Sequence, residues 1–219
     1  MRYLYLACVI AIAVSFSPST VWGIEMEEVV LPQPKLVGDV SVEEAIQGRR
    51  SVRSFAGKEV SLEQAAQLLW ACQGITDSQL FFRAAPSAGA LYPLEVYLAK
   101  SDGLFRYVPS EHKLTRVLME DVRKDLAAAA HNQAFVHEAD IVIVIGAVYG
   151  RVTSRYGDRG IRYTDMEAGH AAENVFLQAV ALGLDSVAVG AFTDETVAKV
   201  WDLPSDVKPL YLLPVGYKK

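Results

Sequence analysis

The chain has almost no cysteine: Cys8 and Cys72 are the two in 219 residues, and Cys8 lies in an N-terminal segment that reads as removable. A single remaining thiol cannot close an intramolecular disulfide, so the fold must rest on its apolar core. Cys72 ends the apolar run Leu68-Leu69-Trp70-Ala71-Cys72 and is expected to be a buried, inert thiol rather than a nucleophile. Positive charge is also short. Lys and Arg number 21 against 26 Asp and Glu, a formal net charge of -5, which argues against nucleic-acid binding as the main role. No Gly-x-Gly-x-x-Gly follows a strand-like run, and no P-loop pattern occurs, so neither nucleotide-binding device is supported. The segment Ala85-Pro86-Ser87-Ala88-Gly89 lacks the first glycine of a nucleophile elbow. His112, His131, His137 and His170 stand outside any metal-ligand spacing, so no metal site is expected. Low-complexity tracts and internal repeats are missing too.

What is present begins with a leader. Arg2 supplies a basic start, Leu4 to Phe16 is apolar, and Ser17 to Gly23 is more polar, with Val21 and Gly23 placed for cleavage. Residues 1–23 therefore read as a secretory signal peptide, too short for a comfortable membrane span. The implied location is exported, periplasmic or secreted; the alternative is a chain anchored to the membrane by an uncleaved leader. No further membrane contact is expected. Residues 24–40, with Pro32 and Pro34, read as an extended arm. Residues 41–219 read as one domain with a sizeable core, since 52% of the chain is hydrophobic.

Within that domain, Ser41-Val42-Glu43-Glu44 and Ser61-Leu62-Glu63-Gln64 are capping-box patterns. They open one helix to about Gly48 and a second that ends at Gly74, a natural C′ residue. Strands are expected at Glu95–Ala99, at Gly103–Tyr107 and Lys113–Leu118 as a hairpin around Pro109-Ser110, at Ile141–Val148, Asp185–Gly190 and Pro209–Gly216. Ile141–Val148 is a continuous β-branched run, which suits a central strand covered on both faces. Helices are expected at Val122–Ala130 and Asp194–Trp201, with a turn at Tyr156–Gly160. The longest helix is expected from Tyr163 to Leu182, with His170, Glu173, Asn174 and Gln178 on one polar stripe and apolar faces elsewhere. Irregular alternation of helices and strands indicates an α+β fold.

Against the acidic background, Arg49-Arg50-Ser51-Val52-Arg53-Ser54-Phe55 places three arginines within five residues. Guanidinium forks and hydroxyls suit a phosphate. A solvated basic loop after a helix is an equal reading of this stretch alone.

Taken in order, several stretches resemble the FMN-dependent nitroreductase superfamily, and within it the SagB-type branch that includes azoline dehydrogenases of thiazole and oxazole peptide maturation. They are the arginine cluster, then Ala85-Pro86-Ser87-Ala88-Gly89-Ala90-Leu91-Tyr92-Pro93, then Tyr156-Gly157-Asp158-Arg159-Gly160 with Met166-Glu167-Ala168-Gly169-His170-Ala171-Ala172-Glu173-Asn174. Val189-Gly190-Ala191-Phe192 and Pro214-Val215-Gly216 complete the set. The resemblance implies a central mixed or antiparallel sheet flanked by helices, and an obligate homodimer with FMN at the subunit interface. It implies that Arg49, Arg50, Ser51 and Arg53 hold the phosphate and ribityl chain, with Lys218 or Lys219. Pro86, Ser87, Ala88, Gly89 and Leu91 would approach the flavin from the partner subunit, and Gly190 and Ala191 would meet its ring. The flavin would carry the redox chemistry, reducing a small electrophile of nitroaromatic or quinone type. The branch's Lys-Tyr catalytic pair falls on Arg155 and Tyr156, and arginine stays protonated, so Tyr156 is the expected proton donor. Azoline dehydrogenation on a peptide and flavin binding without turnover are the alternatives.

Overall fold

The computed structural model describes residues 27–219; the signal peptide expected over residues 1–23 and the first residues of the expected arm lie outside them. In chain order the elements are β1 (Glu28–Val30), α1 (Val42–Gly48), α2 (Leu62–Gln73), β2 (Ile75–Asp77), β3 (Phe82–Arg83), a 3-10 turn (Ala88–Ala90), β4 (Leu94–Lys100), β5 (Gly103–Val108) and β6 (Lys113–Leu118). There follow α3 (Arg123–Ala129), α4 (Phe135–Glu138), β7 (Ile141–Ala147), α5 (Gly150–Tyr156), α6 (Arg159–Ala181), β8 (Asp185–Ser186), α7 (Asp194–Val200) and β9 (Lys208–Gly216).

Seven strands form one sheet in the order β1-β6-β5-β4-β7-β9-β8. Every pairing between these strands is antiparallel. β2 and β3 make a separate hairpin. The run Ile141–Ala147 is buried at every residue, because β7 sits mid-sheet with helices on both faces. Alternation along the strands divides the core. Leu94, Val96, Leu98, Ile141, Ile143 and Ile145 pack with α2 and α6, whereas Tyr97, Ala99, Val142, Val144 and Leu212 pack with α3 and α7. The expected α+β class holds.

Both capping boxes are present. Ser41 accepts from the Glu44 N–H and Ser61 from the Gln64 N–H, with Glu44 and Gln64 reaching back. Each such cap stabilises its helix by about 1 kcal/mol. The stop at Gly74 has a different cause from the one expected. Gly74 is extended (φ -64°, ψ 154°), and a Cβ there would lie 2.3 Å from the Trp70 ring. Close approach, not a left-handed turn, demands glycine.

Other expectations need correction. Part of the arm is a sheet edge: β1 pairs with β6, Val29 opposite Leu114. The strand expected over Asp185–Gly190 is only β8, followed by an isolated bridge between Val189 and Leu212. Gly150–Tyr156 is a helix, and the turn at Tyr156–Gly160 shrinks to Gly157-Asp158. α5 is poor in helix formers, with Gly150, Val152 and Thr153; burial of Val152 fixes it. α6 carries the expected polar stripe, but its other faces are not all buried, since Ile161 and Met166 are exposed.

Candidate functional site

The sequence places the arginine cluster just after α1, and backbone pairing turns it into a wall. Ser51 bridges Ser186 in parallel, with the Val52 N–H donating to the Ser186 carbonyl at 3.1 Å. On its other side the chain's last residues pair with the same segment: Phe55 bridges Lys218, the Ala56 N–H donates to Tyr217 O, and the Lys219 N–H donates to Ser54 O. Val52 and Phe55 point into the core. Ser51, Arg53 and Ser54 do not share that burial, and all three are exposed. The fold thus gathers Arg49, Arg50, Ser51, Arg53, Lys218 and Lys219 at one end of the sheet. Tyr217, Lys218 and Lys219 are tied there by main-chain contacts.

These cations are weakly committed. Arg49 Nε is 3.9 Å from Glu173 Oε1 and Lys219 Nζ is 3.4 Å from Glu138 Oε2, all partly exposed. Arg50 donates to the carbonyls of Gln47 and Arg49, and the Arg53 guanidinium lies 5.8 Å from the Phe135 ring centre. Among the described residues Arg50, Arg53 and Lys218 make no salt bridge. Surface pairs of this kind contribute little, so an arriving dianion would displace almost nothing. Beyond β8, Gly190 and Ala191 present exposed backbone, and Ala191 O accepts from Gln133 Nε2 at 3.2 Å. A Cβ on Gly190 would meet nothing nearer than Tyr211, at 3.6 Å. Contacts within the chain therefore do not require glycine at 190. These donors, cations and bare backbone fit a phosphate-bearing planar cofactor.

Pro86, Ser87, Ala88, Gly89 and Leu91 form a second, separate structure. Gly89 (φ 63°), Ala90 (φ 54°) and Tyr92 (φ 46°) are all left-handed. Two of the three are not glycine, a strained arrangement that persists only when its surroundings over-determine it. Here they do. Ser87 Oγ accepts from the Tyr92 N–H at 2.9 Å, the Arg83 N–H donates to the Tyr92 hydroxyl at 3.2 Å, and Arg151 Nη1 donates to Tyr92 O at 3.1 Å. Arg155 and Tyr156, at the end of α5, press against this loop: a Cβ on Gly89 would lie 2.8 Å from the Tyr156 hydroxyl and 3.0 Å from Arg155 Nη1. The Tyr156 ring packs edge-on against Tyr163 at 5.4 Å. The catalytic pair expected from sequence is thus joined to the loop.

Within one chain the two structures are set apart along α6. Arg49 reaches the helix at Glu173, whereas Ser87 reaches it at Glu167, six residues or about 9 Å away along the axis.

Glu167 carried no assigned role in the sequence. It is 2% exposed and neither carboxylate oxygen has a hydrogen bond of good geometry. Burial pushes its pKa up to about 7; the Ser87 hydroxyl, then Arg83 and Gln73, pull the other way and offset this only in part. Position 167 belongs to the buried stripe of Thr164, Ala168, Ala171 and Val175, and an acid on such a stripe was the available signal. Cys72 is the inert thiol expected, fully buried, its pKa pushed up to about 12 by desolvation.

Comparison with known proteins gives consistent results. The family model described as "Nitroreductase family" matches residues 46–217. The protein named "Putative nitroreductase" of Methanocaldococcus jannaschii is 41% identical over 197 residues, covering 87% of this chain and 96% of the relative. The microcin B17-processing protein McbC of Escherichia coli is 26% identical over 134 residues, 55% of this chain and 48% of McbC. A crystal structure of a "putative nitroreductase" from Ralstonia eutropha superposes with a TM-score of 0.82 at 28% identity, covering 90% of this chain and 92% of that one.

Proposed function

The chain belongs to the nitroreductase family, and from that premise we propose that it is an FMN-dependent oxidoreductase acting as a homodimer on a small electrophile of nitroaromatic or quinone type. Members of the family typically bind flavin. The observation that carries the proposal is the wall of weakly committed cations built by the Ser51–Ser186 and Phe55–Lys218 bridges. When bound, the flavin would supply the electron transfer. Arg49, Arg50, Arg53 and the Ser51 hydroxyl hold its phosphate and ribityl chain, with Lys218 beside them. Gly190 and Ala191 offer backbone to the ring. Pro86 to Leu91 of the partner subunit close the site, which accounts for the separation of the two structures within one chain. Tyr156, held by Tyr163 and Gly89, delivers or takes a proton at its hydroxyl. Arg155 keeps its charge and orients that hydroxyl.

Full-length protein should show bound flavin by its visible absorption, which NADH or NADPH bleaches under anaerobic conditions. The double variant Arg49→Ala/Arg53→Ala should lose flavin at unchanged fold, read by far-ultraviolet circular dichroism. Normal flavin content in that variant would sink the phosphate-site assignment, and bound flavin that no donor and acceptor can cycle would support flavin binding without turnover. The McbC likeness favours a second reading, azoline dehydrogenation on a peptide. Arg155 in the lysine position counts against it, and activity appearing only with a partner cyclodehydratase would revive it. The leader makes export part of the proposal, and periplasmic or medium fractionation tests it.

A further inference from the structure

A cavity of about 460 Å³ adjoins the loop, enclosed by β4, β5, the β2–β3 hairpin and Arg151 of α5. Its volume is in the range of small-molecule sites, roughly 300–1,000 Å³. The charged residues on its wall are Arg83, Arg106, Arg151 and Glu95. That is three guanidinium groups against one carboxylate, in a chain whose net charge is -5.

Glu95 is buried and already shared. Arg106 Nε donates to Oε2 at 2.9 Å and Arg151 Nη2 donates to Oε1. One carboxylate neutralises one of these two arginines. Arg83 has no acid as a hydrogen-bond partner: its Nη1 donates to the neutral Gln73 Oε1 at 3.1 Å and its guanidinium lies 4.6 Å over the Tyr92 ring. Gln73 is fully buried on the same wall, its Nε2 turned toward Glu167 without a hydrogen bond of good geometry. Glu167 does not line this cavity. Arg106 and Arg151 also border a neighbouring cavity with Glu28, Glu111, Asp202 and Asp206 on its wall, but among the described residues their salt bridges run to Glu95 alone. Leu80 and Phe81, at the hairpin tip, add exposed apolar surface.

Concave apolar walls with surplus guanidinium charge repel cations and leave a neutral guest's polar partners unmet. Guanidinium forks match a planar carboxylate in two-point geometry. A nucleotide would fill its polar parts here and waste the apolar wall. We propose that this cavity is a binding site for a small organic anion, a carboxylate carried on an apolar, ring-sized body. The guanidinium groups take the carboxylate, and the hairpin tip takes the body. Nothing in this assignment depends on flavin binding or turnover elsewhere in the protein.

The test titrates the purified full-length protein with benzoate and, separately, with benzyl alcohol by isothermal calorimetry. Benzoate should bind about tenfold tighter or better, in keeping with charge-assisted hydrogen bonding. Raising the salt from about 0.05 to about 0.5 M should erode most of that preference. Arg106→Gln, which leaves Glu95 paired with Arg151, should weaken benzoate at least about fivefold. The salt arm needs no variant, so the proposal stays testable if Arg106→Gln folds poorly. Acetate should bind more weakly than benzoate, because it carries the carboxylate without a body for the apolar wall. Equal affinity for benzoate and benzyl alcohol, no benzoate binding, acetate binding as tight as benzoate, or benzoate binding that Arg106→Gln leaves unchanged would each overturn the assignment; the last would place the anion elsewhere on the molecule.

Discussion

At the scale of the residue, Glu167 has the clearest energetic signature. Its folded pKa of about 7 stands above the ordinary value of 4.5. A carboxyl shifted upward favours folding in its protonated form. Its contribution is therefore complete below about pH 4.5 and is lost as pH rises through about 7. The shift corresponds to roughly 3 kcal/mol as an upper bound. Glu167→Gln keeps the shape and removes the titration. Urea unfolding should show the variant gaining on the wild type by about 1–3 kcal/mol between about pH 5 and about pH 8. A constant offset at both pH values would show that Glu167 does not titrate in that window. The residue's burial was legible in the helical stripe; its neighbours Ser87, Gln73 and Arg83 were not, because they come from distant parts of the chain.

At the scale of the element, α5 shows tertiary packing overriding propensity. Gly160 makes it possible: a Cβ there would lie 2.7 Å from the Thr153 amide nitrogen and 2.8 Å from the Val152 carbonyl carbon. Backbone cannot yield as a side chain can. Alanine ordinarily strengthens a helix interior by about 1 kcal/mol over glycine. At position 160 the sign should reverse, with Gly160→Ala destabilising by about 1–3 kcal/mol. Calorimetry would read this as a melting temperature lower by several degrees. Because α5 carries Arg155 and Tyr156 against Gly89, the same change should lower turnover more than flavin content. An unchanged melting temperature would mean that α5 moves aside freely. The capped helices α1 and α2, the alternating hairpin of β5 and β6, and the apolar run of β7 were legible because each signal is local. α5 and the β2–β3 hairpin were not, because contacts from elsewhere hold them.

At the scale of the whole molecule, the proposed homodimer has exposed apolar residues to cover. Leu36 and Val37 of the arm, Val42 and Ile46 of α1, and Ile161 and Met166 of α6 are all exposed. Scattered apolar residues are ordinary, whereas a large contiguous apolar patch marks an interaction surface. The proposed homodimer would cover them and bring each cation wall to the other chain's loop. Sedimentation at micromolar concentration should show two chains. Ile46→Arg should shift the protein toward monomer and lower its flavin content together, since the site is then incomplete. A monomer that retains its full flavin would contradict a shared site.

The sequence by itself determined the α+β class, the capped helices, the central strand, the inert thiol and the family resemblance, all carried by periodicity or by short motifs whose residues are neighbours in the chain. The tertiary structure alone decided which of those motifs meet. It paired Ser51 with Ser186 and Phe55 with Lys218, pressed Gly89 against Tyr156, and set Glu167 beneath Ser87. The reason is physical. A pattern of 2.0 or 3.6 residues records which face is buried, but not what it is buried against. That depends on strand order, on the few close approaches that glycine permits, and on which polar groups the folded chain leaves without partners.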